Sequence, residues 1–101
     1  MKRYEVTGYN YVVQEKVTSK VGGSKEVTTD NLYVFNSLEE ANEYAETKHA
    51  GQVASFKLEK ESFTESINDF AGRIKKHCIL EDPGFIFELI VKEVEILSPY
   101  E

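Results

Sequence analysis

The chain has no tryptophan, a single cysteine, two histidines and two prolines in 101 residues. The lone cysteine, Cys78, cannot form an internal disulfide, so the fold must hold by packing, which suits a reducing compartment such as the cytoplasm. His49, His77 and one thiol fall short of the three or four converging ligands of a metal site, so no metal is expected. No glycine loop that cradles phosphate and no Gly-x-Ser-x-Gly elbow occurs, which argues against a bound cofactor and against the commoner enzyme classes. No run of about 18 apolar residues is present, and Met1-Lys2-Arg3-Tyr4-Glu5 leads directly into alternating polar and apolar residues. Neither a membrane span nor an export segment is expected.

Positive charge is also short. Twelve lysines and arginines against eighteen acids leave a formal charge of −6, which disfavours direct contact with nucleic acid or an anionic membrane. The acid concentrates in the middle, where residues 38 to 69 hold eight acids and three lysines. With 41% hydrophobic and 30% charged residues the composition is that of a folded globular chain. Lacking repeats, low-complexity tracts and proline-rich linkers, residues 1–101 read as one domain.

The first segment alternates like a strand, but its apolar residues change phase: Tyr4 and Val6 are even, whereas Tyr9, Tyr11, Val13 and Val17 are odd. Because strand side chains alternate faces, one extra residue is needed, and a β-bulge is expected near Gly8. Gly22-Gly23 offers a two-residue hairpin turn that pairs Val21 with Ser24, Val17 with Thr28, Val13 with Leu32 and Tyr11 with Val34. The opposite face would pair Val12 with Tyr33 and Asn10 with Phe35, while a mostly polar tip at about 16–29 projects into solvent.

Ser37-Leu38-Glu39-Glu40 is a capping box that starts a helix with an apolar stripe of Leu38, Ala41, Tyr44 and Ala45 and a stop at Gly51. Val53, Phe56 and Leu58 suggest a short strand, and Ser62 with Glu65 a second capping box. The spacing of Phe63, Ile67, Phe70, Ala71, Ile74 and Cys78 predicts a second helix over 63–80, ended by Asp82-Pro83-Gly84. The apolar run Phe85 to Leu97 reads as a central strand buried on both faces.

The fold class expected is thus α+β, a four-stranded, mostly antiparallel sheet with two helices packed on one face in the order ββαβαβ. One face then lies bare. Ile86, Ile90, Val94 and Ile96 fall on one side of the last strand and Phe85, Phe87 and Leu89 on the other, more apolar surface than two helices on one face cover. A second copy or a ligand is expected to cover the remainder.

The chemistry on offer is thin. His77 and Cys78 as helix neighbours would point about 100 degrees apart and cannot readily share a proton, so Cys78 is read as a core residue and His77 as solvated beside Lys75 and Lys76. The carboxylate pairs Glu59 with Glu61 and Glu93 with Glu95 lack an aromatic sugar platform and read as solvated strand edges. Two binding devices remain: Tyr9 and Tyr11, sharing a face beside the bulge, and the acidic helix face of Glu39, Glu43 and Glu46. The strand-to-helix phrase from Val34 to Ala45 is common in small bacterial and phage proteins and points to no family.

The function read from these residues is a non-enzymatic protein-interaction module, homodimeric through its bare sheet face, of a small accessory protein of bacterial or phage type. It would turn Tyr9, Tyr11 and the acidic helix toward a protein partner. One alternative is an acidic inhibitor that mimics nucleic acid and blocks the basic groove of a host or defence enzyme. Another is a small-molecule-binding domain with its pocket between helices and sheet.

Overall fold

The computed structural model describes residues 3–21, 26–59, 63–70 and 72–100. Its elements run β1 (Arg3–Ser19), β2 (Glu26–Phe35), α1 (Leu38–Glu59), β3 (Thr64–Asn68), β4 (Ile74–Glu81) and β5 (Phe85–Tyr100). They form one antiparallel sheet of five strands in the order β2-β1-β5-β4-β3, with the single helix laid across one face. The expectation of four strands and two helices is corrected at two places.

At the first, α1 continues where a stop and a third strand were expected. Gly51 is exposed, and a Cβ added there would meet nothing within 4 Å. A glycine in that position costs about 1 kcal/mol relative to alanine without ending the helix. The buried stripe runs past it at every fourth residue through Ala41, Ala45, His49 and Val53, and Phe56 packs edge-on against Phe87 at 5.3 Å. His49, expected beside the negative end of a shorter helix, is a member of that stripe and only 3% exposed.

At the second, a β-hairpin replaces the 63–80 helix. Ile67 and Cys78, expected on one helix stripe, are cross-strand partners between β3 and β4. Gly72 lies between these strands with φ +82°, a conformation glycine adopts freely and other residues only under strain. In β4 the buried residues are Lys76, Cys78 and Leu80, a period of two. Ser62 of the expected second capping box, and Ala71 of the expected stripe, lie outside the described residues; Glu65 sits on β3.

Other expectations stand. Glu40 N donates to Ser37 Oγ at 3.4 Å and Ala41 N to Ser37 O at 3.1 Å, so the Ser37 cap of the first capping box opens α1. The bulge forms at Thr7, between Val6 paired with Leu97 and Gly8 paired with Ile96, and the Thr7 hydroxyl donates to the Ile96 carbonyl at 3.3 Å. β5 lies at the centre of the sheet, between β1 and β4, covered by α1 on one face but not buried on both as expected.

The hairpin register of β1 and β2 holds as expected from Ser19 with Glu26 to Gln14 with Asn31, including Val17 with Thr28. The Gly22-Gly23 turn falls outside the described residues. Leu32 then enters as an extra residue, so Val13 faces Tyr33, Val12 faces Val34 and Tyr11 faces Phe35, one position away from the expected pairs. The slip places Tyr33 and Phe35 toward the helix, 5.0 and 5.6 Å from the Tyr44 ring, where three aromatics pack together.

The core lies between α1 and the middle strands and contains Val13, Ala41, Ala45, Cys78, Leu89 and Val91. At its border Lys76, 7% exposed, pairs with Glu46 of α1 and lies 3.7 Å from Asp69. The hydrogen bond that Lys76 donates to the Glu46 carboxylate holds its ammonium above its ordinary range. The two carboxylates are half or more exposed and regain water if the amine is removed, whereas the amine cannot follow them. Lys76→Met is therefore expected to stay within about 1 kcal/mol of the parent, and Glu46→Ala to cost about 1.5 kcal/mol, as urea unfolding of the two variants checks.

Candidate functional site

The expected site residues divide between two places on the helix side of the sheet. Tyr9 and Tyr11 share that face, opposite Glu95 and Glu93 of β5. Tyr11 is half-buried against the core, and its hydroxyl lies 3.5 Å from Glu93 Oε2; Tyr9 is 44% exposed. Tyr11 is thus largely a packing residue, and Tyr9 is the more accessible of the pair.

Glu39, Glu43 and Glu46 stand on one flank of α1 because their spacing of four and three residues follows the helix turn. With Leu38, Asn42 and Lys76 they line a shallow groove beside β4. Glu39 and Glu43 are exposed, while the Glu46 carboxylate is held by Lys76. Tyr9, Tyr11 and the three glutamates do not form one cluster: Tyr11 faces the β5 side of the sheet and the glutamates flank β4.

The groups weighed for catalysis are separated or paired. Consecutive strand residues point to opposite faces, so Cys78 is buried under α1 while His77 sits on the other side of the sheet. Burial pushes the Cys78 thiol up to about 11, opposite to the shift a nucleophilic thiolate needs. Glu93 lies 3.6 Å from Lys75 and Glu95 lies 2.5 Å from Arg73, so each carboxylate has a cation of its own. The pair Glu59 and Glu61 lies outside the described side chains. Among the described residues no group of three or more acids, histidines and cysteines is arranged to hold a metal ion, and no helix is long and apolar enough to cross a membrane.

The side of the sheet away from α1 is unpartnered among the described elements. Pairing places Val12, Gln14 and Lys16 of β1, Ile86, Glu88, Ile90, Lys92, Val94 and Ile96 of β5, and His77 and Ile79 of β4 on this side. No described element covers it. Val94 and Ile96 are 44% and 40% exposed. Near its centre His77 Nε2 and Glu88 Oε1 are 2.8 Å apart, with the Phe70 ring 5.9 Å from the imidazole.

Sequence reasoning identified the β5 apolar members of this face, Ile86, Ile90, Val94 and Ile96, and missed Val12, Ile79, Glu88, Lys92 and His77. His77 was placed on a helix, but Glu88 and Lys92 share the even phase of Ile86, Ile90 and Val94, a signal present in the alternation itself. Comparison with protein-family models, with curated proteins and with solved structures finds no match to this chain.

Proposed function

We propose that the protein is a non-enzymatic interaction module that self-associates through the open face of its sheet and turns its helical side toward a protein partner. The observation that carries this reading is the row of Ile86, Ile90, Val94 and Ile96, flanked by Val12 and Ile79, on a face that no described element covers. Its size suits a second copy. The five strands together hold 56 residues, each covering roughly 3.3 Å along and 4.8 Å across the sheet, a face of about 900 Å². That is about what each partner contributes to a standard stable interface.

In such a dimer the helices lie outermost, in the layer order helix, sheet, sheet, helix. Glu39 and Glu43 then face outward on both copies, together with the half-exposed Tyr9. The pairing of Glu46 with Lys76 reduces the charge that α1 could offer a basic groove, so the interaction reading is preferred to nucleic-acid mimicry.

Light scattering across a concentration range tests the proposal, with a mass of twice 11.5 kDa expected. Ile90→Arg, which sets a charge at the centre of the face, is expected to return the chain to one copy while leaving its circular dichroism unchanged. A parent chain that stays monomeric at high concentration, or an Ile90→Arg variant that still dimerises, overturns it.

A further inference from the structure

The side chains that β5 presents to the open face are, in order, Ile86, Glu88, Ile90, Lys92 and Val94. The series is symmetric in shape about Ile90 and opposite in charge: apolar groups stand four residues to either side, an acid and a base two residues to either side. A two-fold axis brings residue i of one copy to residue j of the other, and j to i. A segment with this pattern is therefore complementary to itself when laid antiparallel on its own copy.

We propose that two copies stack open face to open face with β5 antiparallel over β5, about a two-fold axis through Ile90, so that Glu88 of each copy pairs with Lys92 of the other. The proposal rests on the self-association put forward above and specifies its register. Ile90 meets Ile90, Ile86 meets Val94, and the two charge pairs flank this centre. Packed sheets lie about 10 Å apart, a gap that a glutamate and a lysine reaching from opposite sides span.

Two observations favour this occupant and this register. Lys92 is half-buried among apolar neighbours, and no described acid lies within ion-pairing distance of it. An ammonium in that position gains a counter-charge when the second copy arrives. Stacking with the β5 strands parallel would instead set Glu88 on Glu88 and Lys92 on Lys92, an arrangement that like charges oppose. Glu88 already accepts from His77 through Oε1, and its carboxylate retains capacity for a further donor.

The test is a charge exchange in the full chain, read as the dimer dissociation constant by analytical ultracentrifugation with circular dichroism as the check on folding. Glu88→Lys and Lys92→Glu are each expected to weaken the dimer about 100-fold, because each sets two like-charge pairs across the axis. The double variant restores the dimer, and an equimolar mixture of the two single variants forms a heterodimer. A short bismaleimide is expected to cross-link Ile90→Cys as a homodimer across the roughly 10 Å between the sheets, whereas Val94→Cys, which meets position 86 rather than itself, is not joined; this readout stands even where a charge variant folds poorly. Single variants that keep the parent constant, a double variant that stays monomeric, or cross-linking of Val94→Cys as readily as Ile90→Cys each overturn the register. If Ile90→Arg still abolishes the dimer in those cases, the face is right and only its alignment is wrong. A monomeric parent removes both proposals.

Discussion

Leu89→Ala is expected to lower the unfolding free energy by about 3 kcal/mol, and the midpoint of thermal unfolding by about 15 °C. Leu89 is 1% exposed and sits in the central strand between Val13, Cys78 and Val91 and the two alanines of α1. Those alanines decide the size of the effect. Because Ala41 and Ala45 already let the helix lie close to the sheet, and Leu38 and Tyr44 pack beside them, α1 has little room to settle into the vacated volume. The cavity persists, and its cost adds to the lost transfer energy. Leu97→Ala, on the same strand but 54% exposed, is the control and is expected to cost less than about 1 kcal/mol. Equal losses at the two positions, read from urea titrations, would show that the core is not where the structure places it. Against a typical total of about 5–15 kcal/mol, the Leu89 loss is a large share.

The same core explains which parts of the fold were legible. The first capping box, the apolar start of α1, the bulge beside Gly8, the outer hairpin register and the central position of β5 all depend on local pattern, and local pattern located them. The two misread regions share one cause: a polar residue occupies a buried position. His49 interrupts the apolar stripe of α1 between Ala45 and Val53, so the helix looked finished at Gly51. Its Nε2 is buried without a hydrogen bond, 3.4 Å from Glu65 of β3. Lys76 interrupts the alternation of β4 in the same way, and without it Ile67, Ile74 and Cys78 fell by coincidence at helical spacing. His49 lies beside Glu65 and Lys76 pairs with Glu46, acids distant in sequence, and no window of ten or fifteen residues contains either couple.

The candidate site was legible to the same degree and for the same reason. Alternation within β5 assigned Ile86, Ile90, Val94 and Ile96 to one side, and no described element covers that side. What alternation did not supply was the neighbour strands. Val12 and Gln14 come from β1 and His77 and Ile79 from β4, a strand that had been read as helix. Tyr9 and Tyr11 were placed on a common face, and the sheet order β2-β1-β5-β4-β3 puts that face on the side of α1.

Stability is expected to fall as pH rises from about 9 to about 11, by an amount that depends on Cys78. The thiol is buried beside the core, and burial raises it to about 11; Glu46 and Asp69 push in the same direction and Lys76 opposes them. In the unfolded chain a cysteine titrates near 8.5, so between the two values the folded state holds a proton that the unfolded state has released. A folded state that binds more protons loses stability as pH increases; the contribution is complete below about pH 8.5 and gone above about pH 11. The difference of about 2.5 pH units corresponds to about 3 kcal/mol over that window. Lysines and tyrosines titrate in the same range, so the quantity to measure is the difference between the parent and Cys78→Ala at matched pH. The parent should lose about 3 kcal/mol more than the variant between pH 8 and 11, and its thiol should resist iodoacetamide at pH 8 until urea unfolds the chain. Parallel curves for the two proteins, or alkylation of the folded parent at the rate of a free thiol, would show that Cys78 is not enclosed between α1 and the sheet.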